Sequence, residues 1–482
     1  MAPRLATMKL LVAFAVLLAV IAGVALRAIS MTGELWLDEI WSLLLLDGVS
    51  SPVEILTKVR HDNNHPLNSA WLWLLGPDRS PELYRIPSVL FGALTLIVLP
   101  LTARREGMGL SGAAWCVLVA LSYPCILLGS EARGYSITIF ACVASFSAVL
   151  RLARGPASAC WAAIFLVSSA AGILSHAAYL LFLVPATVWL AVVQMRRERA
   201  EAANGAAWLT VVAPLAGAAA VWALFYRSLE IGGGPRAPYL QVLVSTISVS
   251  FGGEEMSELD LEGSAAALLV AAAIVFVLLG EAAAWLRERD PVAVLVVGLV
   301  AFPVLAVVVL QPPFVMTRYG ITAIVFMYLL AARFIARLAR QGSLGGLLGA
   351  GLLALYAVGN LRHVEELRSF GRSHVLAAFE AIASGGATVT VGGDFDNQNE
   401  LRLRFLRLRR AAVSPITYVR EYASAVPAPQ VVLRERLERG GAMPPEFSTP
   451  SGVTFRVVRE YPAPLLSGSM LAVYSQAPGS GR

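Results

Sequence analysis

Gly33-Glu34-Leu35-Trp36-Leu37-Asp38-Glu39-Ile40-Trp41-Ser42 follows directly on an apolar run over residues 10–28. That run is long enough to cross a bilayer, for which about 20 residues suffice. The stretch behind it is too polar to continue the span and too apolar to leave the membrane surface. Read as a helix, it sets Glu34, Asp38 and Ser42 in one stripe and Trp36, Ile40 and Leu44 on a neighbouring face. Tryptophans at headgroup depth predict an interfacial helix lying along the membrane. Two adjacent carboxylates there face unlike surroundings, and burial raises the pKa of one relative to the other. The plain alternative makes Asp38 and Glu39 the solvated side of that helix.

The remainder of the chain agrees with a membrane setting. Of 482 residues, 57% are hydrophobic and only 15% charged, and mean hydropathy is +0.69. A soluble chain carries about a quarter charged residues. The composition excludes a disordered, collagen-like or disulfide-scaffold protein and predicts a polytopic α-helical membrane protein. Apolar segments at 10–28, 86–103, 112–128, 136–152, 160–174, 179–193, 208–226, 265–285, 292–310, 321–334 and 344–358 predict about 11 transmembrane helices. The first is read as a span and not as a cleaved leader, because its loss leaves no acceptable topology for the later arginines. These cluster at alternate connections (Arg104 and Arg105; Arg151 and Arg154; Arg196, Arg197 and Arg199; Arg287 and Arg289; Arg333, Arg337 and Arg340) and, with Arg4 and Lys9, mark one side as cytoplasmic. Cys116, Cys125, Cys142 and Cys160 all lie in apolar runs, offering neither a disulfide framework nor zinc-ligand spacing.

Beyond residue 361 charges become denser and long apolar runs stop. Residues 363–384 predict an amphipathic helix, and 388–391, 430–433, 454–458 and 470–474 predict strands. The expected organisation is a transmembrane domain over residues 1–361, with a first outer loop over 31–84, and a small α/β domain over 362–482 on the outer face.

Charged residues in or beside spans are costly and therefore informative. Those left unexplained gather at the outer boundary. His61-Asp62-Asn63-Asn64-His65-Pro66 precedes an aromatic run, and Pro66 suits a helix start. Arg85 opens the second span, Arg133 lies between the third and fourth, and Arg318 stands at the start of the tenth. Three arginines on the side that disfavours positive charge call for anionic partners. Glu131 is a local partner for Arg133, and His176 is a lone histidine at an outer turn.

The order of Asp38-Glu39 after the first span, His65-Pro66, Leu83-Tyr84-Arg85-Ile86-Pro87-Ser88, Glu131-Ala132-Arg133-Gly134-Tyr135 and Arg318-Tyr319 resembles the GT-C glycosyltransferases. The branch it most resembles is that of the protein O-mannosyltransferases and the lipid A aminoarabinose transferase. The resemblance covers residues 6–359. It departs at Pro66-Leu67, where many relatives have two prolines, and at His176, where some carry a lysine.

The resemblance implies a GT-C-like membrane domain in the cytoplasmic (inner) membrane with its active site outside. It implies transfer of a sugar from a polyprenyl-phosphate donor to a hydroxyl of a lipid, glycan or protein acceptor, with inversion. Asp38 matches the general base, with Glu39 as its support or substitute. Arg85 matches the first donor-phosphate contact, followed by Arg318 and Arg133. Asp62, His65, Glu131, Tyr135, His176 and Tyr319 fall to sugar or acceptor binding. No metal, no cofactor and no nucleic-acid partner is implied.

A transporter or flippase of lipid-linked sugars is the competing reading. It predicts ionisable groups near mid-membrane on interrupted helices in repeated halves, whereas here they collect at one face and no internal repeat is seen.

Overall fold

The computed structural model describes residues 2–155, 158–198, 205–231, 237–257, 260–312, 315–384, 388–409, 416–436, 443–464, 466 and 468–478. Eighteen α-helices and six strands follow one another among them. The helices are α1 (Ala2–Ser30), α2 (Leu37–Leu44), α3 (Pro52–Thr57), α4 (Pro66–Leu75), α5 (Pro81–Arg105), α6 (Gly109–Leu121), α7 (Tyr123–Leu128), α8 (Tyr135–Arg154) and α9 (Ala159–Ser175). They continue with α10 (Leu180–Glu198), α11 (Gly205–Leu224), α12 (Tyr239–Ser250), α13 (Leu261–Arg287), α14 (Pro291–Leu310), α15 (Ile321–Ala339), α16 (Ser343–Phe370), α17 (Val375–Ala383) and α18 (Asp396–Arg409). The strands are β1 (Val389–Gly393), β2 (Ile416–Tyr418), β3 (Val431–Arg436), β4 (Glu446–Ser448), β5 (Thr454–Tyr461) and β6 (Met470–Gln476).

Every apolar segment anticipated as a span is helical. Nine helical stretches among the described residues are long and apolar enough to cross a membrane. The other two segments are shorter: α9 has 17 residues, and α6 has 13 before a break at Ser122. Ser122 caps α7 by accepting from the Cys125 N–H, and Pro124 in the first turn of α7 cannot donate to a continued α6. Between the apolar segments at 208–226 and 265–285 lies α12, most of which is buried. Cys160 is exposed on the protein surface although it lies in an apolar run, whereas Cys116, Cys125 and Cys142 are buried.

The arginine-rich ends of α5, α8, α10, α13 and α15 are all C-terminal. Arg154 pairs with Glu106, Arg197 donates to the Gly155 carbonyl, and Arg333 pairs with Glu281 and Glu288, joining these ends at one side of the bundle. The N-terminal ends of α5, α8 and α15 therefore share the opposite side, where α2, α3 and α4 lie.

The C-terminal sheet has the order β2-β1-β3-β6-β5-β4, with β1 parallel to β2 and β3 and the other pairs antiparallel. The short strands β2 and β4 lack the alternating pattern that marked the other four. The helix expected over 363–384 is two helices: α16 runs to Phe370, Gly371 turns the chain at φ +68, and α17 starts at Val375. One hydrophobic core joins the sheet domain to the interfacial helices, with Leu35, Ile40, Leu43 and Leu72 packed in the same cluster as Val375, Phe379, Leu403 and Leu406.

Candidate functional site

Helix α2 begins at Leu37, so Glu34 lies ahead of it and the expected Glu34-Asp38-Ser42 stripe does not form. Gly33, at φ +89, turns the chain out of α1, and Trp36 precedes the helix in extended conformation. Glu39 reaches back to accept from the Trp36 N–H at 3.1 Å, half of a capping box that fixes where α2 starts. This start sends Asp38 and Glu39 to different environments.

Glu39 points inward and is fully buried. Its carboxylate accepts from Arg85 Nε at 2.8 Å, Arg85 Nη2 at 2.6 Å and the Ala132 N–H at 2.7 Å. Burial pushes its pKa up, but the Arg85 charge and hydrogen bonds, with Arg372 and the Ala132 N–H, more than offset this and leave it below the ordinary value. Arg85 spends its other donor capacity on the carbonyls of Met31, Thr32, Gly33 and Glu34, at 2.9, 3.2, 3.0 and 2.7 Å. The first-choice phosphate contact is thus a buried clasp that ties the end of α1 to α2 and α5. Glu39, locked in that clasp, has no free carboxylate edge to act as a base.

Asp38 points to the other side. Its Oδ2 pairs with Arg133 Nη1, and Arg318 Nη2 lies 3.0 Å away. Both guanidinium carbons stand over the Trp36 ring, at 5.8 Å for Arg133 and 5.3 Å for Arg318. Arg133 is thus paired with Asp38 and not with Glu131, as its sequence neighbourhood suggested. Glu131 turns away toward Arg372, 3.7 Å from its Nε.

Arg133 Nη2 also lies 2.9 Å from His65 Nε2. A guanidinium only donates, so Nε2 accepts and the proton sits on Nδ1, from which His65 donates to the Ser175 carbonyl at 2.8 Å. Burial, then the charges of Arg133 and neighbouring His176, hold the His65 pKa well below its ordinary value. His65 stacks on His176 at 4.9 Å, and His176 lies 4.7 Å from Tyr135 and 5.7 Å from Tyr319. Burial and the same two arginines push His176 down to about 3, so this wall of rings is uncharged at neutral pH. Asp62 stands at its edge, paired with His61 at 2.9 Å, and its backbone N–H donates to the Glu230 carbonyl.

The structure thus brings Asp38, Arg133, Arg318, His65, Tyr135, His176 and Tyr319 together, with Asp62 at the rim, and sets Glu39, Arg85 and Glu131 behind them as support. Sequence reading missed Trp36 as the floor under both guanidinia, having assigned it to the membrane interface. It also missed Ser88 and Asn68, which hold the 131–133 turn: Ser88 Oγ donates to the carbonyls of Glu131 and Arg133, and Asn68 Nδ2 to that of Ala132.

Four buried polar atoms around Asp38 have no hydrogen-bond partner among the described residues: Trp36 Nε1, Arg133 Nε, Arg318 Nε and Tyr135 Oη. All can donate. Two arginines against one carboxylate leave an excess positive charge, and α8 and α15 begin beside it, adding the positive ends of their dipoles. The arrangement suits a part-buried anion held next to a carboxylate.

A bundle of membrane-spanning helices with interfacial helices and a small sheet domain over one end is the GT-C architecture. Among solved structures the chain is similar to ArnT from Cupriavidus metallidurans in the apo state, at 11% identity over 97% of this chain and 99% of that chain, with a TM-score of 0.53. The structure of ArnT from Cupriavidus metallidurans bound to undecaprenyl phosphate aligns at 12% identity over 98% and 99%, with a TM-score of 0.49. No family model and no curated protein sequence matches the chain.

Proposed function

We propose that the protein is an integral-membrane glycosyltransferase that moves a sugar from a polyprenyl-phosphate donor to an acceptor hydroxyl at the outer face of the cytoplasmic membrane. The observation that carries this reading is Asp38 held between Arg133 and Arg318, with donors around them that have no partner among the described residues, at the bundle end opposite the arginine clusters. The positive-inside rule makes that end extracytoplasmic. The GT-C fold shared with ArnT supports the same class of reaction.

In this reading the donor phosphodiester sits on Arg133 and Arg318, and Tyr135 and Trp36 supply further donors. Two arginines, Asp38 and one phosphodiester charge sum to zero. As the acceptor oxygen attacks the anomeric carbon, the bond from that carbon to the phosphate oxygen breaks and the phosphate gains a second negative charge. Asp38 takes the proton released by the acceptor hydroxyl, so the site stays neutral throughout. Direct displacement inverts the anomeric centre. Asp62, His65, His176 and Tyr319 form the sugar and acceptor side, with neutral imidazoles that do not compete with the arginines for phosphate. The bundle is the catalytic unit, and the sheet domain covers its outer end.

Purified protein given a polyprenyl-phospho-sugar and an acceptor extract tests the proposal. Asp38→Asn is expected to bind polyprenyl phosphate but not transfer; full transfer by that variant removes Asp38 as the base. A transporter moves the lipid without cleaving it, and its Asp38→Asn variant leaves no sugar transfer to be lost.

A further inference from the structure

Arg372 lies in the break between α16 and α17, 239 positions from Arg133 in the chain, and is nearly sealed from solvent. Its Nη1 donates to the carbonyl of Ser30, the last residue of α1, at 2.7 Å. Its Nη2 donates to Ser130 Oγ at 2.7 Å and reaches the Leu127 carbonyl at 3.4 Å. Gly371 turns the chain to deliver it, and the Arg372 carbonyl abuts Gly468 so closely that a Cβ there would collide. The sheet domain thus fixes the backbone of Arg372, while its side chain enters the membrane domain.

The segment it grips, residues 127–133, presents Arg133 to Asp38. Glu131, two residues before Arg133, is buried and faces Arg372. Burial raises the Glu131 carboxyl, and Arg372 is the foremost charge opposing this. Glu39 faces Arg85 and Glu131 faces Arg372, two buried carboxyls against two buried guanidinium groups. Without Arg372, the carboxylate of Glu131 is left to its next cation, Arg133.

We propose that Arg372 is a positioning residue: by neutralising Glu131 and holding the 127–133 turn, it keeps Arg133 on Asp38 and available to donor phosphate, so that donor binding depends on the seating of the C-terminal domain. This rests on the reading of Arg133 as a phosphate ligand.

The test uses full-length protein in lipid nanodiscs, with polyprenyl phosphate as the binding probe and a polyprenyl-phospho-sugar for kinetics. Arg372→Gln is expected to weaken polyprenyl phosphate binding and raise the donor KM about tenfold or more, with kcat lowered as well because Arg133 also meets the charge that develops on the phosphate. The double variant Glu131→Gln/Arg372→Gln is expected to recover most of that loss, and Arg372→Lys a part of it. A purely structural arginine predicts instead that the double variant is as weak as Arg372→Gln, or that only thermal stability falls; either result overturns the proposal. Should Arg372→Gln not fold, Gly468→Ala displaces the Arg372 backbone with all charges intact and must raise the donor KM; an unchanged KM overturns the proposal. Wild-type protein that binds no polyprenyl phosphate removes the proposed function and this role with it. Wild-type binding matched by Arg372→Gln removes the role of Arg372 alone.

Discussion

Arg85→Met separates a structural clasp from a ligand contact. In the wild type, Arg85 and Glu39 are both fully buried and share two hydrogen bonds of 2.8 and 2.6 Å. Methionine fills similar space but leaves a buried carboxylate without its cation, a loss that costs about 3–5 kcal/mol in buried pairs. Glu39 can limit this by taking up a proton, which for a carboxyl of ordinary pKa near 4.5 costs about 3.4 kcal/mol at pH 7. The retained bonds from the Trp36 and Ala132 N–H groups lower the cost, and the orphaned carbonyls at 31–34 raise it. The net expectation is a destabilisation of about 3–5 kcal/mol. In Glu39→Gln/Arg85→Met the uncompensated charge is gone, so the double variant is expected to be more stable than the sum of the single changes requires, with a coupling of about 2 kcal/mol or more. Denaturant or thermal unfolding of the four proteins in one detergent measures it. Strictly additive effects, or Arg85→Met with wild-type stability and only donor affinity lost, refute the clasp and restore Arg85 as a phosphate ligand.

Two further expectations concern residues nearby. Tyr135 Oη is buried without a hydrogen-bond partner among the described residues, so Tyr135→Phe is expected to leave stability unchanged or slightly raised while weakening polyprenyl phosphate binding by about tenfold or more, as for a lost hydrogen bond to a charged group; unchanged affinity in a lipid-binding assay places the phosphate elsewhere. Glu34 accepts from the Ala377 N–H at 2.9 Å, and burial lifts its carboxyl to about 7, with the nearby Glu380 adding to the rise. The folded chain then holds a proton that the unfolded chain releases above its ordinary pKa of 4.5, so stability falls by roughly 3 kcal/mol between pH 4.5 and 7 and no further above it. Glu34→Gln is expected to flatten that slope in melting temperatures taken from pH 4.5 to 8, and an unaltered slope assigns it to another group.

The 19 residues of α15 and the long runs of α13 and α14 were readable as spans because a bilayer imposes one rule, that about 20 consecutive residues be apolar. Positions of the arginines told which ends lie together for a similar reason, since charge cannot remain in lipid. These are one-dimensional constraints, and the sequence carries them whole. It also brought Asp38, Arg133 and Arg318 onto the same side, each standing beside a span.

Which of two adjacent carboxylates faces the site was decided elsewhere. A helix starting at Leu37 and not at Gly33 rotates Glu39 toward Arg85 and Asp38 toward Arg133, and that start depends on a cap and on the turn at Gly33. The competition for guanidinium groups was likewise settled in three dimensions: Glu131 is closer to Arg133 in the chain, yet Arg372 takes Glu131 and Asp38 takes Arg133. Sequence order records which charges exist and at what depth they stand. Partners are fixed by packing among helices far apart in the chain, because the desolvated charge goes to whichever counter-ion the tertiary fold brings within reach, and no local pattern encodes that distance.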